Sequence, residues 1–278
     1  MGHGTHTGHD HGAGGSLPEW LLPVVALLLC AQLYGYLAYR ARRRNPVLGW
    51  SRWRTASFAA GLALLAVALL PPVAPLAHTD FRAHMAQHLL IGMYAPIALV
   101  LGAPVSLLLR TVPARRGRAL TAVLRSRPTR LLAHPATALL LSTGSLVPLY
   151  FTPLYHHAAT QPAGHWLLHA HFLLSGCLFA YVIAGPDPAP ARPGVRTRLV
   201  YLGFAIAGHA VISQLMYGGY WVDIDAPVAE VQGGAEIMYY GGDIAELLLA
   251  AALVATWRPG RVRRPAVDSA PGYRPAQI

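Results

Sequence analysis

The sequence predicts an all-α fold: a polytopic bundle of seven transmembrane helices, with the amino terminus outside and the carboxyl terminus cytoplasmic. Three observations predict it. The 278 residues are 54% hydrophobic and only 12% charged, with mean hydropathy +0.40; a soluble domain carries roughly 25% charged residues. Several apolar runs reach the ~20 residues a helix needs to cross a bilayer. The basic residues also sort to alternate loops.

The spans follow in order at 17–39, 55–77, 83–109, 132–154, 165–185, 199–220 and 237–257. Span one is closed by Arg40, Arg42, Arg43 and Arg44, and Arg52 and Arg54 precede span two. Span two carries Pro71 and Pro72 near its end. Span three contains Pro96 and closes on "LGAP" at 101–104, small residues suited to close helix approach. Seven arginines from Arg110 to Arg130 separate it from span four, in which Pro148 and Pro153 kink or end the helix. Span five opens on "HWLLHAHF". Arg192, Arg196 and Arg198 precede span six, and five arginines from Arg258 to Arg274 follow span seven. All 22 basic residues are arginines, and all but Arg82 fall on one side of this layout. The positive-inside rule makes that side cytoplasmic, so the net charge of +11 is a topology signal and not a footprint for nucleic acid.

The start lacks a basic n-region, and span one is too long for a signal-peptide core, so it reads as a retained helix. Three regions result: a His/Gly-rich extracytoplasmic tail at 1–16, the membrane domain at 17–257 and a basic cytoplasmic tail at 258–278. The tail histidines, His3, His6, His9 and His11, can collect metal loosely or simply belong to a tail without a core. Cys30 and Cys177 fall inside spans and read as small core residues rather than a disulfide framework.

The histidines show the opposite bias to the arginines. All but His134 and His209 lie outside or in the outer leaflet. Residues four apart stack on one helix face, so His84 and His88 share a face of span three, and His165 and His169 share a face of span five. The deeper member of each pair should lie about 6–9 Å below the interface. Asp243 and Glu246, three apart on span seven, are expected at a similar depth. Ionisable residues within spans usually face the bundle interior and mark function. His84, His88, His165, His169, Asp243 and Glu246 are therefore the expected metal ligands, with Met85 and His171 beside them. His209, in mid-span with Gln214, reads either as a satisfied core histidine or as a deeper relay or ligand.

Imidazole with thioether tilts the metal toward copper, as Cu(I) rather than Cu(II), because Met85, Met93, Met216 and Met238 all lie near the histidine layer. Haem held between facing histidines is an alternative cofactor. A metal or proton transporter is another, although few polar residues continue toward the inner side. No nucleophile–base constellation or phosphate-binding glycine loop appears, which argues against an enzyme.

"AHMAQHLLIGMYAPIALVLGAP" at 83–104 resembles the signature helix of the caa3-type cytochrome c oxidase assembly factor family (CtaG of Gram-positive bacteria). The resemblance rests on the HMAQH core at 84–88, the apolar run after it and the Leu-Gly-Ala-Pro close. The seven-span layout and the histidines at 165–172 extend it over about 50–260. It implies a multi-pass protein of the bacterial plasma membrane that helps build haem–copper oxidases by supplying copper. It also implies partners: cytochrome c oxidase subunits, other copper chaperones and membrane lipid. His84 and His88 carry over from the motif directly, and His165 and His169 follow.

Overall fold

The computed structural model describes residues 20–47, 49–189 and 192–257. Among the described residues it is all-helical, without strands. The His-rich tail at 1–16 and the basic tail at 258–278 lie outside the described residues. Among the described residues, five helical stretches are long and apolar enough to cross a bilayer: Leu21–Arg44, Phe81–Thr111, Ala163–Ala184, Val195–Tyr217 and Val228–Thr256. They correspond to expected spans one, three, five, six and seven.

The other two expected spans are shorter or broken. Helix α1 (Leu21–Arg44) is followed by α2 (Arg52–Leu69), which stops just before Pro71–Pro72 rather than at residue 77. A proline without an N–H cannot continue the ladder. The chain reverses through the short α3 (Val73–Ala77) into α4 (Phe81–Leu89). A π-helical turn, Leu90–Tyr94, then leads to α5 (Ala95–Leu101), and α6 (Pro104–Thr111) completes this rod. The basic helices α7 (Ala114–Leu124) and α8 (Arg127–Leu132) bury no residue. Expected span four is a second broken rod: α9 (Pro135–Leu139), a π turn at Leu140–Gly144 and α10 (Leu146–Tyr150). After α11 (Leu154–Ala159) come the three long helices α12 (Pro162–Ala184), α13 (Val195–Tyr217) and α14 (Val228–Thr256).

Both π turns have the same cause. Pro96 and Pro148 each lack the N–H that would bond the carbonyl four residues earlier, at Gly92 and Gly144. Each of those glycines lies inside a π turn, where the ladder re-registers.

The rod that starts with α4 is central, packed against α14, α12 and α2. Glycines permit the close approaches. A Cβ on Gly234 would stand 2.7 Å from the Phe81 ring and one on Gly241 2.5 Å from Leu89, so α4 and α14 run side by side in the same direction. On α12, a Cβ on Gly176 would stand 2.0 Å from the Gly92 carbonyl oxygen. Small residues at such contacts let membrane helices associate through their backbones.

The arginine-bearing end is fastened by polar ties. Tyr34 donates to the Gly102 carbonyl (2.8 Å) and accepts from the Trp50 indole (3.1 Å), fixing α1 to the central rod. Ala103, at φ 53°, offers no side-chain acceptor to the start of α6. Asp187 supplies it from another segment, accepting from the backbone N–H groups of Val105 (3.1 Å) and Ser106 (2.7 Å).

Candidate functional site

The histidine-bearing end of the bundle is built where α4, α12 and α14 begin. Asp80 caps α4 by accepting from Arg82 N (2.8 Å) and pairs with the Arg82 guanidinium at 2.7 Å. Glu230 reaches over from α14 to accept from Phe81 N (3.1 Å). Two carboxylates at this helix start satisfy orphan N–H groups and oppose the positive end of the helix dipole.

From this anchored start the two motif histidines enter different surroundings. His84 is buried in an aromatic box, its ring 5.7 Å from Phe81 and 4.9 Å from Tyr155, with Nε2 3.4 Å from the Tyr150 hydroxyl. Met85 is fully buried against the same hydroxyl, its sulfur 4.0 Å away. His88 is also buried, edge-on to Phe172 at 4.2 Å, and neither ring nitrogen has a hydrogen-bond partner.

His165 and His169 do share a face of α12, with ring centroids 4.6 Å apart. A third ring joins them: His78, in the turn between α3 and α4, lies 4.3 Å from His165. The three line the wall of an open cavity of about 970 Å³ between α1, α3, α11 and α12, together with Gln87 and Trp166. Gln87, buried between the motif histidines, donates from Nε2 to the Ala68 carbonyl (2.8 Å). That bond fixes the amide, so Oε1 faces His169 and accepts from its Nε2–H at 3.2 Å. His169 Nδ1 is left buried with an unused lone pair.

The remaining expected ligands stand elsewhere. His171 donates to the Ser145 hydroxyl (2.9 Å), which itself donates to the Leu141 carbonyl, so His171 ties α12 to the second broken rod. Glu246 is not in the layer of His84 and His165. Helix α14 begins at Val228, nine residues before the expected start of span seven. With Gly241 beside Leu89, Glu246 lies about 15 Å below His84 at ~1.5 Å per residue. There it bonds His209, Oε1 to Nδ1 at 2.7 Å, both side chains buried. Asp243, half-buried a turn away, joins none of these bonds.

The expected single layer is thus two groups: His78, His165 and His169 at the open cavity, and His88, His209 and Glu246 in the interior. His78 was not among the expected ligands; it reaches His165 because the prolines at 71–72 end α2 and bring α3 across the top of α4. Gln87 lay in plain view inside HMAQH. Among the described residues, no three His, Cys, Asp or Glu side chains are arranged as a ready metal cage.

Fold and site together define a multi-pass helical membrane protein with a histidine-walled cavity at one end. The cytochrome c oxidase caa3 assembly factor model matches residues 32–259. The chain belongs to that family. It is 31% identical over 242 residues to the uncharacterized protein Mb0105 of Mycobacterium bovis, and equally to MT0111 of Mycobacterium tuberculosis. The relative ML1998 of Mycobacterium leprae is 28% identical over the same length. In each case 80% of this chain is covered but only 37% of the relative, so the chain spans little more than a third of these proteins. No solved structure matches it.

Proposed function

We propose that this assembly factor holds Cu(I) as cargo at His78, His165 and His169 and passes it to a cytochrome c oxidase subunit in the membrane. The observation that carries the reading is the His165 ring lying between His78 and His169 on the wall of an open cavity. Neutral imidazoles suit copper, and a donor set without thiolate releases it readily. Gln87 acts as a positioning residue: by taking the His169 Nε2 proton in a hydrogen bond it keeps Nδ1 open as a ligand. An arrangement short of a closed cage fits a carrier better than a resident structural site.

In this reading the chain crosses the membrane seven times, α2 and the rod at 135–150 being the two shorter crossings. The arginine-bearing end is cytoplasmic and the histidine end faces outward, where the tail can deliver copper. Lipid-facing positions beside the cavity give the client oxidase subunit access.

The test is made in cells. Oxidase is purified from a strain whose own copy of the gene is replaced by the His78→Ala, His165→Ala, His169→Ala triple variant. The expected result is oxidase depleted in copper relative to haem at unchanged levels of the assembly factor. Oxidase with a full copper complement would contradict the reading.

A further inference from the structure

Below His88 lies a separate cavity of about 40 Å³. It is bounded by α4 and its π turn, the second broken rod, α12, α13 and α14, and shares no lining residue with the cavity at the histidine end. His88, Met93, Thr143, His209 and Glu246 are on its wall. Several polar atoms there are buried and unbonded: both ring nitrogens of His88, the Thr143 hydroxyl and Glu246 Oε2. Each of these side chains is at most 5% exposed. Buried polar groups are nearly always satisfied, and a group left open toward a cavity awaits a ligand or water. The space exceeds the roughly 10–15 Å³ that one water-sized occupant needs.

The charge of the wall narrows the ligand. Glu246 is its one acidic residue and no arginine lines it. A low-dielectric interior favours zero net charge. A single monovalent cation beside Glu246 meets that condition. The donors on offer are imidazole nitrogen, thioether sulfur from Met93 and one carboxylate oxygen, a soft mixture with a single negative charge. Cu(I) fits it in both charge and softness, and its low coordination number does not require the ready cage that is lacking.

We propose that this cavity is a second cation site, in which one Cu(I) is held by His88, Met93 and the free Oε2 of Glu246. Copper bonds form to imidazole nitrogen, thioether sulfur and a carboxylate oxygen, and no redox change occurs. Besides His209 and Glu246, the one titratable group lining the cavity is His88 from α4; the hydroxyls of Ser142 and Thr143 come from the second broken rod and that of Ser175 from α12, while His171 points instead to Ser145. The identity of the ion rests on the copper reading above, whereas the site itself does not.

The test uses the full chain with His3→Ala, His6→Ala, His9→Ala and His11→Ala, purified in detergent and titrated anaerobically with Cu(I) against a chelator. A second copper is expected beyond that at the histidine end. The His78→Ala, His165→Ala, His169→Ala variant should keep one copper. Glu246→Gln in the parent should also keep one, at the histidine end, which shows that the chain is folded. His88→Leu gives an independent check: its nitrogens bond nothing, so folding does not depend on them, and the interior copper should again be lost. A triple variant that binds no copper overturns the interior site and leaves the cavity-wall reading standing. Retained copper that survives both Glu246→Gln and His88→Leu also overturns it. A parent that binds a single copper, untouched by the triple variant but lost in Glu246→Gln, would sink the cavity-wall reading and uphold this one.

Discussion

His209 Nδ1 and Glu246 Oε1 stand 2.7 Å apart, with both side chains buried across the contact of α13 and α14. Removing one partner of such a pair leaves the other polar and unpaired in the bundle. Glu246→Ala should lower stability by about 3–5 kcal/mol, measured by unfolding in mixed detergent micelles. Glu246→Gln, which can still bond His209, should lose clearly less. Equal losses in the two variants would mean that side-chain volume, not the bond, matters at this position.

Two glycines give opposite expectations. Gly176→Ala places a methyl 2.0 Å from the Gly92 carbonyl oxygen, a backbone atom held by the π turn. Overpacking there should destabilise by about 1–3 kcal/mol or more. Gly242→Ala on α14 meets nothing within 4 Å. It should be neutral or stabilise by up to about 1 kcal/mol through helix propensity. A thermal-unfolding comparison in detergent checks the ordering.

Asp187 caps a helix to which it does not belong. Asp187→Ala leaves the N–H groups of Val105 and Ser106 without their acceptor, at a cost of about 1–2 kcal/mol. Asp187→Asn should restore part of it. Amide exchange at Val105 and Ser106, faster in the alanine variant than in the asparagine one, is the specific readout.

At the start of α4 the pH dependence has a definite sign. Hydrogen bonds from the Arg82 guanidinium and backbone N–H hold the Asp80 carboxyl below its ordinary range. A lowered carboxyl favours the folded state above its unfolded value and loses that contribution as pH falls through the folded one. A small destabilisation below about pH 4 should be present in the wild-type chain and absent in Asp80→Asn. The same acid profile in both would place the effect elsewhere.

The sequence made the long helices legible because a bilayer demands about 20 apolar residues in a row. It also revealed the paired faces of His84 with His88 and of His165 with His169, since the helical repeat decides these locally. Three things were not legible. The break after Leu69 swings His78 onto His165, which requires knowing how α3 folds back. The early start of α14 sets the depth of Glu246, and its glycine-rich first turns, "VQGGAEIM", obscure that start because hydropathy there is diluted. Which helix faces which is a tertiary property, so nothing local paired Glu246 with His209 rather than with the layer of His84. The π turns before Pro96 and Pro148 follow from residues in plain view, but their effect on the neighbouring glycines is visible only in the packed bundle.

In the proposed function His78, His165 and His169 together hold copper. Its most direct test is X-ray absorption at the copper edge on Cu(I)-loaded full chain carrying the tail substitutions and Glu246→Gln, so that only the cavity wall can bind. The expected spectrum is a nearest shell of imidazole nitrogens with outer-shell ring scattering, lost together with the copper when His165 is changed to alanine. A shell of sulfur or oxygen without ring scattering, or an unchanged spectrum in the His165→Ala chain, would contradict copper binding by these three histidines.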